Sequence, residues 1–403
     1  MKTNGKIRNL VGVSALALAA GLALPALAQA QDATATQDPQ ATEVDEVVVT
    51  GIRASLRDSI AVKRRSALVI EAISSEDIGQ LPNVTIAEEL IRLPGINGTR
   101  DRGNQSQAAI RGLGPRLVLG LVNDREVASS EPDRNVRWEI YPSEVVSGVE
   151  VYKSQSADLI AGGVAGTINI RTVRPLDYTG ARVAASAGAI YYESGKDLPD
   201  YDPLGYRASA SFTEHLSDTL GVNLGISRQE QHNGFASFQG WGFNDEETGG
   251  QPGDVDGDSD LDATPWGAQT EVKRLVEDRT GVNGALQWRP SSNFELNFDA
   301  LYSKIGIDED QNQAWYGRNG AIGNWAGGSG WAYSDPGASY TIIDNTVVAA
   351  TLPFVSVTNV IAHYVEDKTL FVTGVNGRWS MGDWTLTGDL SYSKAERDNT
   401  WQA

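Results

Sequence analysis

The chain has 403 residues, 43 of them Gly, with 10 Trp and 13 Tyr, a composition suited to many strands and tight turns. With no Cys and only His215, His232 and His363, disulfide frameworks, thiolate zinc sites and cysteine nucleophiles are excluded, and histidine chemistry has little material. A net charge of -19, from 33 basic and 52 acidic residues, argues against a nucleic-acid partner, because phosphate binding requires a basic face.

Lys2, Lys6 and Arg8 precede an apolar stretch over 10–27, and Ala26-Leu27-Ala28-Gln29-Ala30 offers small-residue cleavage sites after Ala28 or Ala30. This is the three-part pattern of a secretory signal peptide, so 1–30 is expected to be removed and the mature chain to cross the inner membrane. Residues 31–43 are mostly Gln, Asp, Ala and Thr and cannot bury a core. Asp45-Glu46-Val47-Val48-Val49-Thr50-Gly51 follows, its β-branched run favouring extended backbone. Behind a flexible leader, such a segment suits addition to the sheet edge of another protein, or it is an ordinary first strand.

Residues 52–176 alternate helical and strand patterns. Thr85 is the expected N-cap of a helix with Glu88 completing a capping box; Ile86, Leu90 and Leu93 form its apolar face, and Pro94-Gly95 stops it. Short strands are expected at Ala109–Gly112, Leu117–Val122, Val145–Tyr152 and Gly166–Arg171. Neither glycine cluster completes a phosphate-loop motif: position 117 is Leu117 where Gly112-x-Gly114 would need glycine, and no Gly-Lys-Ser/Thr occurs. Arg53, Arg57, Lys63, Arg64 and Arg65 form a basic cluster that reads as a solvated helix face.

Here the chain resembles the TonB-dependent outer-membrane receptors. The resemblance rests on Asp45–Gly51 as the energy-coupling box, Leu93-Pro94-Gly95, Ile110-Arg111-Gly112, Val149-Glu150-Val151-Tyr152-Lys153, and Gly162-Gly163 leading to Ile168-Asn169. Ser154-Gln155 and Ile160-Ala161 depart from the Gly-Pro and Tyr-Gly pairs of the family pattern. The resemblance implies an α+β plug domain over 52–176. It also implies that the transducer TonB pairs with Asp45, Glu46, Val47, Val48, Val49 and Thr50 as an added strand, and that its pull, driven by the proton-motive force, rearranges the plug.

After residue 177 the period becomes two, the signal of antiparallel transmembrane β-barrel strands. Phe294, Leu296, Phe298, Ala300 and Tyr302 share one face of a strand, opposite Glu295, Asn297, Asp299 and Ser303. Trp384, Leu386, Gly388, Leu390 and Tyr392 do the same opposite Thr385, Thr387, Asp389 and Ser391. An aromatic opens and closes each apolar face, about 20 Å apart in depth at the usual rise and tilt, which fits paired membrane girdles better than a soluble sandwich. Further strands are expected near 181–192, 204–213, 219–227, 280–289 and 369–379, with long loops over 229–270 and 306–367. The second of these holds strand-like runs at 340–349 and 354–362. About seven strands form an incomplete barrel, because a plugged lumen takes about 22. The chain also ends directly after a strand. The organisation expected is therefore a signal peptide (1–30), a leader with box (31–51), a plug (52–176) and the N-terminal part of a barrel (177–403) of a longer receptor.

Trp241, Trp266, Trp315, Trp325 and Trp331 in the long loops are candidate ligand-stacking residues, or pack the loops together. Asp254, Asp256, Asp258 and Asp260 alternate as a Ca²⁺ candidate, but the EF-hand template fails at Ser259 and Pro265, and a solvated acidic loop is the plainer reading. The expectation is a non-enzymatic receptor in the outer membrane of a Gram-negative cell, without a cofactor, importing a scarce siderophore, cobalamin or oligosaccharide. Its partners would be TonB, outer-membrane lipid and that extracellular ligand. The rival expectation is a secreted or periplasmic β-rich glycan-binding protein.

Overall fold

In the computed structural model, residues 59–74, 85–143, 146–244, 258–265, 267–317, 339–351 and 356–403 are described. The signal segment, the leader with its box, Trp266, Trp325, Trp331, Asp254 and Asp256 lie outside the described residues. The described residues all fall within one compact unit.

Residues 59–65 are helical and lead into β1 (Ile70–Ser74). A single-turn helix, α1 (Ile86–Leu90), begins as expected: the Thr85 hydroxyl accepts from the Glu88 backbone N–H. Its capping satisfies one of the orphan donors at a helix start. The helix ends at Leu90, short of Pro94-Gly95, which instead forms a turn with Gly95 at φ +71°. Next come β2 (Ile96–Asp101) and β3 (Asn104–Ile110), a hairpin of which only the C-terminal end was expected from sequence. β4 (Val118–Val122), β5 (Arg125–Glu126), β6 (Gly148–Tyr152) and β7 (Gly166–Arg171) complete the N-terminal part. Five strands form one sheet in the order β1-β6-β7-β4-β5, with β4 and β7 parallel and the other pairs antiparallel. β4 is buried throughout and β7 nearly so, which explains their continuous apolar character.

The second sheet is a wall of seven antiparallel strands. In spatial sequence these are β8 (Arg182–Tyr191), β9 (Leu204–Ser217), β10 (Leu220–Gly240), β13 (Gly267–Ser291), β14 (Phe294–Gly317), β17 (Ser356–Met381) and β18 (Trp384–Gln402). Each expected strand is present. Most run much further than expected, so the supposed long loops shrink: β10 and β13 take in 229–240 and 267–270, and β14 and β17 take in 306–317 and 356–367. β11 (Phe243–Asn244) pairs with β12 (Thr264–Pro265), and β15 (Ser339–Ile343) with β16 (Thr346–Thr351) beyond the long strands. The two excursions meet where the Val347 N–H donates to the Ala263 carbonyl and the Ala263 N–H to the Asn345 carbonyl.

The register places the aromatics in two rows on the outer face. Trp288, Phe294, Trp379 and Trp384 lie near the short turns, with Trp288 and Phe294 edge to face at 5.8 Å and Phe294 opposite Trp379. Tyr302, Phe371 and Tyr392 form the other row, with Phe371 and Tyr392 6.4 Å apart. Between the rows, Leu286, Phe298, Val375, Leu386 and Leu390 are exposed, an apolar band that no other element covers among the described residues.

β10 continues past its last pairing with β9, at Glu230 opposite Tyr206. Residues 192–202 cover part of that unpaired edge. Tyr192 Oη donates to Gln231 Oε1 at 2.9 Å, Ser194 Oγ to Asn233 Oδ1 at 3.1 Å, and Tyr201 Oη to the His232 carbonyl at 3.1 Å. Gly195 is required here, because a Cβ would lie 2.9 Å from the Gly234 Cα.

Candidate functional site

The inner face of the wall carries the N-terminal sheet, and the seam between them is where most buried charge collects. Its apolar part joins Trp138, Ile140 and Tyr141 with Leu301, Ile305, Ile307, Leu370 and Val372 in one buried cluster. The rest is polar.

Two tight turns deliver the arginines. In the β4–β5 turn, Asn123 (φ +51°) and Asp124 (φ +66°) both take left-handed backbone, as a two-residue hairpin demands and as Asn and Asp tolerate. Arg125 then faces the wall: Nη1 donates to both Asp299 oxygens at 2.8 and 2.7 Å, and Nε to both Asp389 oxygens at 2.8 and 3.0 Å. Asn123 Nδ2 adds a bond to Asp299 Oδ1 at 2.8 Å. Gly374 makes room, since a Cβ there would lie 2.4 Å from the guanidinium carbon.

The β2–β3 turn uses Arg102 (φ +49°) and Gly103 (φ +91°) in the same way. Arg102 Nε donates to Glu309 Oε2 at 2.8 Å, and its guanidinium lies 4.6 Å from the Tyr364 ring centroid. Asn104 Nδ2 donates to Glu277 Oε2 at 3.0 Å. Between the two turns, Arg137 bridges Asp101 and Glu139, Lys368 sits 2.7 Å from Glu366 and 3.9 Å from Glu139, and Arg397 joins Glu366 to Glu131.

Burial pushes the Glu139 carboxyl up, and the opposing pull of Arg137 and Lys368 does not bring it back to the ordinary range. Burial also raises Asp101, but Arg137 and Arg102 outweigh it and hold that group below its usual value. At the far side of the sheet, burial of Glu71 is likewise outweighed by Lys63 and Lys153, so Glu71 stays a carboxylate; Lys153 also donates to the Pro94 carbonyl. A seam built this way holds by hydrogen bonds between charged groups, each of which water can replace when the surfaces part.

The aromatic candidates are only partly brought together. Trp315 lies on β14 rather than in a loop, and Trp241 follows β10; their rings meet edge to face at 5.7 Å. Trp241 Nε1 donates to Gln269 Oε1 at 3.0 Å and Trp315 Nε1 to Gln313 Oε1 at 2.6 Å. Below Trp315, Gln313 Nε2 donates to Gln311 Oε1 at 2.9 Å and Gln311 Nε2 to Glu309 Oε1. Of the acidic run, Asp258 and Asp260 are exposed, with the Asp260 N–H donating to Asp258 Oδ1 at 2.8 Å, whereas Asp262 is buried. Among the described residues no three His, Asp or Glu side chains gather in metal-binding geometry.

Sequence reading missed Arg102, Arg125, Arg137, Glu139, Glu309, Glu366 and Lys368. For Glu309, Glu366 and Lys368 the available signal was a charged residue at an inward position of an alternating strand, as with Asp299 and Asp389; Arg102, Arg125, Arg137 and Glu139 sit at turns or in short elements without such alternation.

Residues 62–167 match the family model of the TonB-dependent receptor plug domain. The ferric enterobactin receptor PirA of Pseudomonas aeruginosa is 30% identical over 221 residues, covering 47% of this chain and 29% of that protein. The ferrienterobactin receptor of Escherichia coli is 29% identical over 176 residues, covering 40% and 22%. A crystal structure of the ferric enterobactin receptor PfeA of Pseudomonas aeruginosa aligns at TM-score 0.40 and 14% identity, covering 83% of this chain and 60% of that one. The chain thus spans less than a third of the length of these curated relatives. Residues 62–167 thus carry the plug domain of the TonB-dependent receptors, and the plug sheet seats on the inner face of antiparallel strands whose outer face is an aromatic-edged apolar band.

Proposed function

We propose that this chain belongs to a receptor that captures a scarce extracellular ligand and imports it by TonB-coupled rearrangement of the plug. The carrying observation is the seam: Arg102 and Arg125 hold the plug by side-chain bonds to Glu309, Asp299 and Asp389, beside an apolar cluster centred on Trp138 and Tyr141. Those polar contacts can be exchanged for water as the plug moves, leaving the Trp138–Tyr141 cluster as the apolar surface to be exposed. The work comes from outside the outer membrane, which holds no ATP, and enters at Asp45, Glu46, Val47, Val48, Val49 and Thr50 when TonB adds them as a strand. Residues 52–176 then act as the stopper and 177–403 as part of the wall.

Two relatives bear the name of ferric enterobactin, which makes an iron–siderophore complex the first ligand to try. Cobalamin and oligosaccharides stand behind it, the latter on the strength of the edge-to-face pair Trp241 and Trp315. Cell fractionation separates the receptor from a soluble glycan-binding protein. The deciding test is Val48→Pro, which removes a backbone donor from the added strand. Uptake is expected to be lost while ligand binding to whole cells persists; unchanged uptake overturns the proposal.

A further inference from the structure

The inner face of β14 carries a hydrogen-bonded ladder at every second residue from the strand's outer end to the plug. Its donors all run one way: Trp315 to Gln313, Gln313 to Gln311, Gln311 to Glu309, with Arg102 of the plug donating to the other Glu309 oxygen. Trp401 of β18 adds a side link, its Nε1 lying 3.5 Å from Gln311 Oε1. Gln311 and Glu309 are buried, at 8% and 1% exposure. A glutamine amide has distinct ends, so reversing either Gln311 or Gln313 breaks the bond above and the bond below together. The ladder is thus whole or broken, and the chain of polarised bonds ends on the carboxylate that holds the plug.

We infer that Gln311 and Gln313 are positioning residues that tie the aromatic rim to Arg102, so that a ligand engaging Trp315 alters the plug's hold on Glu309. This rests on the receptor reading above and names the wall, rather than the plug surface alone, as a route by which occupancy reaches the plug. Trp315 lies six residues above Glu309, about 20 Å along the strand. At that range a substitution that preserves charge has no direct influence on the indole, and any response must travel through the ladder.

The experiment uses the receptor in lipid nanodiscs, labelled with 5-fluorotryptophan and without ligand or TonB, the Trp315 resonance being assigned by Trp315→Phe. Arg102→Lys keeps the charge at the plug tip but changes the hydrogen bond to Glu309; Glu309→Asp keeps the carboxylate but shortens its reach to the same joint from the wall side. Both are expected to move the Trp315 fluorine resonance. In a Gln313→Leu background the same substitutions should leave it in place. Gln313→Glu should also silence the response, because it still accepts from Trp315 yet cannot donate to Gln311; a purely structural glutamine would keep the response in this near-isosteric variant. A response of undiminished size with Gln313→Leu, or no response to either perturbation with the ladder intact, overturns the inference. Because no ligand or transducer is present, the outcome is independent of the Val48→Pro result.

Discussion

Replacing Arg125 by methionine keeps the aliphatic stem and removes both carboxylate clamps at the base of the plug. Asp299 is the costly loss: its side chain is 5% exposed and would keep only the Asn123 amide among the bonds described here. Stripping one partner from a buried ion pair costs about 3–5 kcal/mol, most of it the stranded charge. Asp389 is 33% exposed and screened by water, so its share is at most about 1 kcal/mol. A total near 4 kcal/mol corresponds to roughly a thousandfold easier opening of the β4–β5 hairpin. Hydrogen exchange of peptides spanning 118–126 and 166–171, in the membrane-embedded receptor, reads that change. Combining Arg125→Met with Asp299→Asn removes the stranded charge and should restore most of the protection. Faster exchange by less than tenfold in the single variant, or no recovery in the double, would refute the reasoning.

Gly103→Ala places a side chain at φ +91° with its Cβ 1.9 Å from the Asn233 amide, and should cost about 1–3 kcal/mol, read as faster exchange across 96–110 with the β4–β7 region unchanged. Glu139 has a folded-state pKa above its ordinary 4.5, so its contribution to plug stability is full below that value and is lost as pH rises through the raised one. Urea unfolding of the plug followed from pH 4.5 upward should therefore show a declining component that Glu139→Gln abolishes; a profile unaltered by that substitution would rule it out. Glu71 runs the other way, its pKa lying below 4.5. Its contribution is present at neutral pH and fades as the medium is acidified below that value, and Glu71→Gln should flatten the acid limb of the same curve.

The membrane-facing parts of the strands were legible because one face is apolar and the other is not: Phe294 through Tyr302 announces itself. Above the second aromatic row that contrast vanishes. Asp308, Glu309, Asp310, Gln311 and Asn312 are polar on both faces, so the continuation of β14 reads as loop although it is paired on both sides. β2 was hidden for a similar reason, only Ile96 of its six residues being buried. The helix start at Thr85 was legible because capping is local. The seam was not, because its bonds join residues far apart in sequence, 174 positions between Arg125 and Asp299 and 207 between Arg102 and Glu309. No local pattern specifies which inward carboxylate meets which arginine.

The patch laid by residues 192–202 along β10 has a consequence for how the protein behaves in a crowded envelope. Bare backbone at the border of a sheet recruits any passing extended chain, its own siblings included. Tyr201 finishes that border by bonding the His232 carbonyl, with Tyr192 and Ser194 holding the segment in place through Gln231 and Asn233. Trimming that segment would strip Gln231 and Asn233 of partners on the inner face and leave the sheet's margin adhesive, so that molecules would be lost to clumping.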